Sequence, residues 1–169
     1  MIRPILRYGE AALHAPAAPV ETFDDRLRTL LRDMAETMYA APGVGLAAPQ
    51  IGVGLRVFVI DITVGKRAGA LIEMVNPEFV LCEGMQLEEE GCLSIPGFEA
   101  TVVRPMKAIV RGVDRDGSES VVEGTGLLAR ALQHEMDHLD GALFVHRLRG
   151  IRRDVILRRV QKLKRSGKW

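Results

Sequence analysis

The chain has 169 residues, 47% of them hydrophobic and 27% charged, with a formal net charge of +1. This is an ordinary globular balance, long enough for one domain over residues 1–169 to bury its own core, and it contains no run of about 18 apolar residues to span a membrane. The two cysteines, Cys82 and Cys92, are too few for a disulfide scaffold. The opening Met1–Tyr8 is too interrupted by Arg and Pro for a secretion signal, so a reducing, cytoplasmic setting is expected.

Residues 1–24 carry two short apolar pieces broken by Ala15-Pro16 and Ala18-Pro19 and read as an irregular arm lying on the domain. Thr22 or Asp24 can cap the helix that follows. In that helix Leu27, Leu30, Leu31, Met34 and Met38 form one apolar stripe at helical spacing. Pro42-Gly43 ends it. Gly43-Val44-Gly45 then brackets one residue with two glycines, which allows a sharp turn or a close backbone approach.

Strands are expected at 55–60, on both sides of Asn76-Pro77 (70–75 and 78–82), at 100–104, at 107–114 and at 119–123. The acidic Glu88-Glu89-Glu90 precedes Gly91-Cys92-Leu93-Ser94-Ile95-Pro96-Gly97, a bend. Gly124 and Gly126 lead into a helix containing Gln133-His134-Glu135-Met136-Asp137-His138. After Gly141 an apolar link runs into a basic amphipathic helix at about 150–166, with Ile151, Val155, Ile156, Val160 and Leu163 on its apolar side. Ten Lys or Arg stand against one acid between Arg147 and Trp169, a local charge of +9 that the preceding residues offset. The element order predicts an α+β fold: mostly antiparallel strands around a central metal-binding helix, with an N-terminal helix and the basic C-terminal helix.

His134 and His138, four apart, lie on one helix face and can share a metal, with Glu135 placed to exchange a proton with a bound water. A catalytic site of this type needs a third protein ligand. Cys92, Cys82, His146, His14 and a carboxylate are all available, and Cys92 is favoured because Gly91 and Pro96-Gly97 describe a tight, exposed bend.

Three segments, GVGLAAPQ at 43–50, EGCLSIPG at 90–97 and QHEMDHLDG at 133–141, resemble the three signature motifs of peptide deformylases in order and rough spacing. The resemblance runs over nearly the whole chain. It implies that Cys92, His134 and His138 hold one divalent metal (Fe²⁺ first, with Zn²⁺ or Ni²⁺ possible) and a water that attacks the formyl carbonyl of N-formylmethionine. Glu135 then matches the general base and acid, while Gln50 and the backbone N–H of Leu93 match the oxyanion donors. Gly43, Val44, Gly45, Glu90, Leu127 and Ala131 are expected at the substrate, with Leu128 a further wall. Glu90 and Arg104 resemble a supporting ion pair behind the EGCLS loop, and Glu99 stands where many relatives carry a basic or aromatic residue.

The implied substrates are nascent N-formylmethionyl peptides, with no membrane or DNA partner and with ribosome contact through the basic helix. Deleting residues from about Arg152 onward is then expected to abolish ribosome co-sedimentation and spare activity. Two other readings stand beside this one: an HExxH zinc endopeptidase, and an inactive deformylase-like module that binds the ribosome.

Overall fold

The structure is a computed structural model describing residues 1–169. After an arm containing one 3-10 turn at Ala11–His14, helix α1 runs Asp25–Ala40. Asp24 is its cap, accepting from the N–H groups of Arg26 and Leu27. Seven strands follow: β1 Gly45–Ala47, β2 Val57–Ile60, β3 Ile72–Glu83, β4 Gln86–Gly91, β5 Glu99–Arg104, β6 Lys107–Val113 and β7 Glu119–Thr125. Helix α2 spans Gly126–Leu139, a 3-10 turn covers Phe144–Arg147, and helix α3 spans Ile151–Arg165. This is the expected α+β fold.

Strands β1-β2-β3-β6-β7 form one sheet in that order, and β4-β5 form a separate hairpin; every pairing between strands is antiparallel. Strand β2 explains the layering. Val57 and Val59 face α1, packing with Leu31, Met34 and Met38. Phe58 and Ile60 face α2, packing with Leu132, Met136 and Leu139. A strand covered on both sides must be apolar at every position, so it reads as a run and not as an alternation. Helix α2 is buried from Ala129 through Leu139 and is the central helix of the molecule.

The two strands expected around Asn76-Pro77 are one strand. Its register shifts between Val75 and Glu78, where Asn76 adopts φ 51°. Asparagine tolerates that conformation, and a bulge continues the strand where a break was expected. The Asn76 side chain bonds both backbone groups of Val20, so the bulge also fastens the arm.

Strand β4 was not foreseen, because its inward residues, Gln86 and Glu90, are polar. The tail helix also packs differently from its expected stripe. Ile156 and Val160 are buried against Leu13, Ile95, Val102 and Phe144, while Ile151 and Val155 are exposed.

Candidate active site

Three segments converge at α2. His134 and His138, one turn apart, bring their Nε2 atoms to 3.2 Å. The Cys92 Sγ, on the bend after β4, stands 3.3 Å from His138 Nε2. The three ligand atoms lie within 4.8 Å of one another. A tetrahedral ion with N and S ligands at ordinary bond lengths has ligand–ligand edges of about 3.3–3.6 Å, which these separations approach.

The electrostatics fit a cation as well. Burial alone would lower the pKa of His134, yet the neighbouring Cys92, Glu90 and Glu135 raise it well above the ordinary value, so this spot attracts positive charge. Burial and His134 push His138 well below the ordinary value, leaving its ring nitrogen free to coordinate. His134 Nδ1 is bonded to Glu90 Oε1 at 2.5 Å, which turns the Nε2 lone pair toward Cys92. Of the other third-ligand candidates, His14 and His146 meet edge to face 6.1 Å apart between centroids, and Cys82 is exposed on β3.

Glu135 is 3% exposed, and its Oε2 has no hydrogen-bond partner. Burial, assisted by Glu90 and Asp137 and opposed by His134 and Arg104, pushes its carboxyl up to about 7. Gly45 explains the Gly-Val-Gly spacing: a Cβ there would stand 2.5 Å from Glu135 Oε1. Its role is close approach and not a turn. A Cβ at Gly43 would likewise meet Leu93 Cδ1 at 2.8 Å.

Gln50 is held at its oxygen end by the Ala47 N–H at 2.9 Å, which directs its Nε2 to Ser94 Oγ at 3.1 Å and toward Cys92 Sγ at 3.7 Å. The Leu93 N–H on the same bend donates to no protein acceptor.

A cleft of ≈ 750 Å³ opens over these groups. Gly43, Val44, Gly45, Leu127 and Ala131 line it, joined by Ile5 of the arm and Phe98. Leu128 does not line it; it packs against the core beside Gly124. Glu90, expected at the substrate, is also among the cleft-lining residues, and its carboxylate is engaged by protein donors. Arg104 grips it twice, at 2.6 and 2.7 Å, and Arg130 holds Oε2 at 2.7 Å. Burial alone would raise the Glu90 pKa, yet Arg104 and His134 hold it well below the ordinary carboxylate range.

Arg130 was missed, although it lies four residues before His134 on the same face of α2 and that spacing could have found it. Asp137, which had no evident partner in the sequence, accepts from Arg104 at 3.0 Å and from Arg147 at 2.6 and 3.1 Å. Met136 is plain core. Arg147, counted with the basic tail, therefore belongs to the network behind the metal-ligand residues.

A family profile described as polypeptide deformylase matches residues 2–154. The peptide deformylase of Acidobacterium capsulatum is 48% identical over 169 residues, spanning 100% of this chain and 99% of its own. That of Acetivibrio thermocellus is 49% identical over 166 residues, or 98% and 95% of the two chains. A crystal structure of a peptide deformylase from Legionella pneumophila superposes with a TM-score of 0.91 at 50% identity, covering 99% of this chain and 98% of that one. One from Thermus thermophilus gives 0.87 at 41% identity, covering 96% and 95%. With family profile, relatives and architecture in agreement over nearly its full length, this chain belongs to the polypeptide deformylase family.

Proposed function

We propose that Cys92, His134 and His138 hold one divalent metal, Fe²⁺ in the native enzyme, and that Glu135, Gln50 and Leu93 carry out the deformylation of nascent N-formylmethionyl peptides around it. The carrying observation is the convergence of three ligand atoms within 4.8 Å beside a buried carboxylate oxygen with no partner. When bound, such an ion supplies Lewis acidity and a hydrolytic nucleophile at neutral pH.

Glu135 accepts a proton from the attacking water and delivers it to the departing amine, so that formate and a free N-terminal amine leave. A carboxyl pushed up to about 7 is suited to both halves of that exchange. The formyl carbonyl passes through a tetrahedral anion, for which the Gln50 Nε2 and the Leu93 N–H are the nearest fixed donors. Gln50 serves because Ala47 holds its oxygen away from the site. Gly43, Val44, Gly45, Leu127 and Ala131 bound the space for the methionine side chain. Glu90 and Arg104 act behind the site, orienting His134.

Of the other two readings, the endopeptidase is not favoured, because the family is that of deformylases and the third ligand position holds a cysteine. The inactive module is not favoured either. Glu135→Gln keeps the three ligand residues and removes the base, so one metal per chain is expected with kcat lowered about 10²–10⁴-fold. The test is metal analysis of anaerobically purified protein, paired with hydrolysis of formyl-Met-Ala-Ser by wild type and variant. A wild type that binds one metal and leaves this peptide intact would sink the proposal.

We further propose that the exposed basic face of α3 docks on ribosomal RNA in the cytoplasm. Arg152, Arg158, Arg159, Lys162 and Arg165 all lie exposed on that helix without a carboxylate partner, which supports an electrostatic contact.

A further inference from the structure

We propose that Trp169 is a positioning residue for the substrate cleft, a clasp that holds the N-terminal arm against the cleft's outer rim. This rests on the deformylase reading of the cleft and adds to it a residue outside the three motifs. The Leu6 N–H donates to Gln50 O at 2.7 Å and the Tyr8 N–H donates to Ser94 O at 2.8 Å. The arm therefore joins the segment that carries Gln50 to the bend that carries Cys92, and it places Ile5 in the cleft wall.

The end of α3 and the residue Trp169 beyond it add a further fastening, at Arg7 and Tyr8. The Trp169 indole N–H donates to Tyr8 O at 2.9 Å. The Arg7 guanidinium stands 5.8 Å from the Trp169 ring centroid, and the Lys164 ammonium stands 5.9 Å from that of Tyr8. The opposite contact of Trp169 is Phe98, 6.2 Å between centroids, and Phe98 lines the cleft. One side chain thus touches both the arm that supplies Ile5 and the rim that supplies Phe98.

Glu135 and the two histidines lie on α2, whose position is set by the main sheet and not by Trp169. The Gln50 side chain is fixed separately by the Ala47 N–H, so loosening the clasp moves the apolar cleft walls and leaves the oxyanion donor and the proton-transfer residues in place. The effect falls on KM and not on kcat.

Trp169 is the only tryptophan, so its emission reports on this contact directly. Wild type, Trp169→Ala and Trp169→Phe are compared as metal-loaded enzymes on formyl-Met-Ala-Ser, with melting temperatures measured alongside. Trp169→Ala is expected to raise KM about 2–10-fold, the equivalent of one hydrogen bond, with kcat within about twofold. Trp169→Phe keeps the ring against Phe98 but loses the N–H to Tyr8 O, so its KM should fall between those of wild type and Trp169→Ala. In the wild type, adding the product peptide Met-Ala-Ser should shift the tryptophan emission. A KM unchanged in Trp169→Ala, whatever its melting temperature, overturns the proposal, as does an emission that ignores the peptide. The emission arm needs no turnover, so an inactive wild type would sink the deformylase reading and still leave the clasp tested.

Discussion

Gly45 of β1 pairs with Ile60 of β2 and lies against the Glu135 carboxylate. Its backbone is ordinary strand, so alanine would fit the conformation and fail only on space. A Cβ placed 2.5 Å from Glu135 Oε1 must displace that carboxylate. Gly45→Ala is therefore expected to lower kcat about 10–100-fold, the range for a catalytic group shifted by an ångström, with little change in melting temperature. Steady-state kinetics with a thermal melt checks this; an unchanged kcat would show that Glu135 has room to move. The sequence left the two glycines open between a sharp turn and a close approach. That their neighbours are Glu135 and Leu93 was not legible, because both lie far along the chain.

At the scale of elements, the β4–β5 hairpin is built inside out. Gln86, Glu90 and Arg104 face inward, where apolar residues would be expected. They are tolerated because each finds partners: Gln86 bonds Pro105 O, Gly126 O and Arg130, while Glu90 and Arg104 bond each other. A buried ion pair adds little net stability over an apolar pair, but removing one member is costly. Arg104→Met is expected to destabilise the protein by about 3–5 kcal/mol and to weaken metal retention, since Glu90 would no longer be held against His134. Urea denaturation and metal analysis test both, and a variant as stable as wild type would refute the network's role.

A second pair of elements depends on pH. His14 Nε2 accepts from the Gly9 N–H and His146 Nδ1 from the Leu143 N–H, each at 3.0 Å, so both rings must be neutral on those atoms. Burial lowers both pKa values below the ordinary 6.5, with Lys164 adding to the effect at His14, and His14 and Arg153 at His146. A depressed histidine contributes stability that is complete above the unfolded value and is lost as pH falls through the folded one. The melting temperature should therefore fall as pH drops below the ordinary histidine value of 6.5, and the fall should be smaller in the double variant His14→Gln, His146→Asn. Identical pH profiles would remove these two rings as the cause.

At the scale of the molecule, three clusters of buried side chains divide the work. Two lie on the faces of the main sheet, and the third joins the Cys92 bend, the hairpin and α3. Deleting residues from Arg152 onward, expected from the sequence to spare activity, would strip Ile156 and Val160 from that third cluster and expose Ile95 and Phe144. It would test folding and not docking. Reversing charge at exposed Arg152, Arg158 and Arg159 tests docking instead: ribosome co-sedimentation should fall and become less dependent on salt, while hydrolysis of formyl-Met-Ala-Ser is unchanged. Co-sedimentation equal to wild type would end the proposal.

The sequence by itself determined the shared helix face of His134 and His138, the α1 stripe and most strands, because each is local: four residues make a helical neighbour and two make a strand neighbour. Only the tertiary structure decided that β3 continues through Asn76 and that the polar β4 is a strand. It also decided that Glu90 is bonded to His134, Arg104 and Arg130, that Arg147 leaves the basic tail for Asp137, and that Trp169 reaches Tyr8, 161 residues away. In each of these a polar side chain is satisfied by a partner distant in sequence. Periodicity registers which face of an element is buried, and it carries no record of what that face meets.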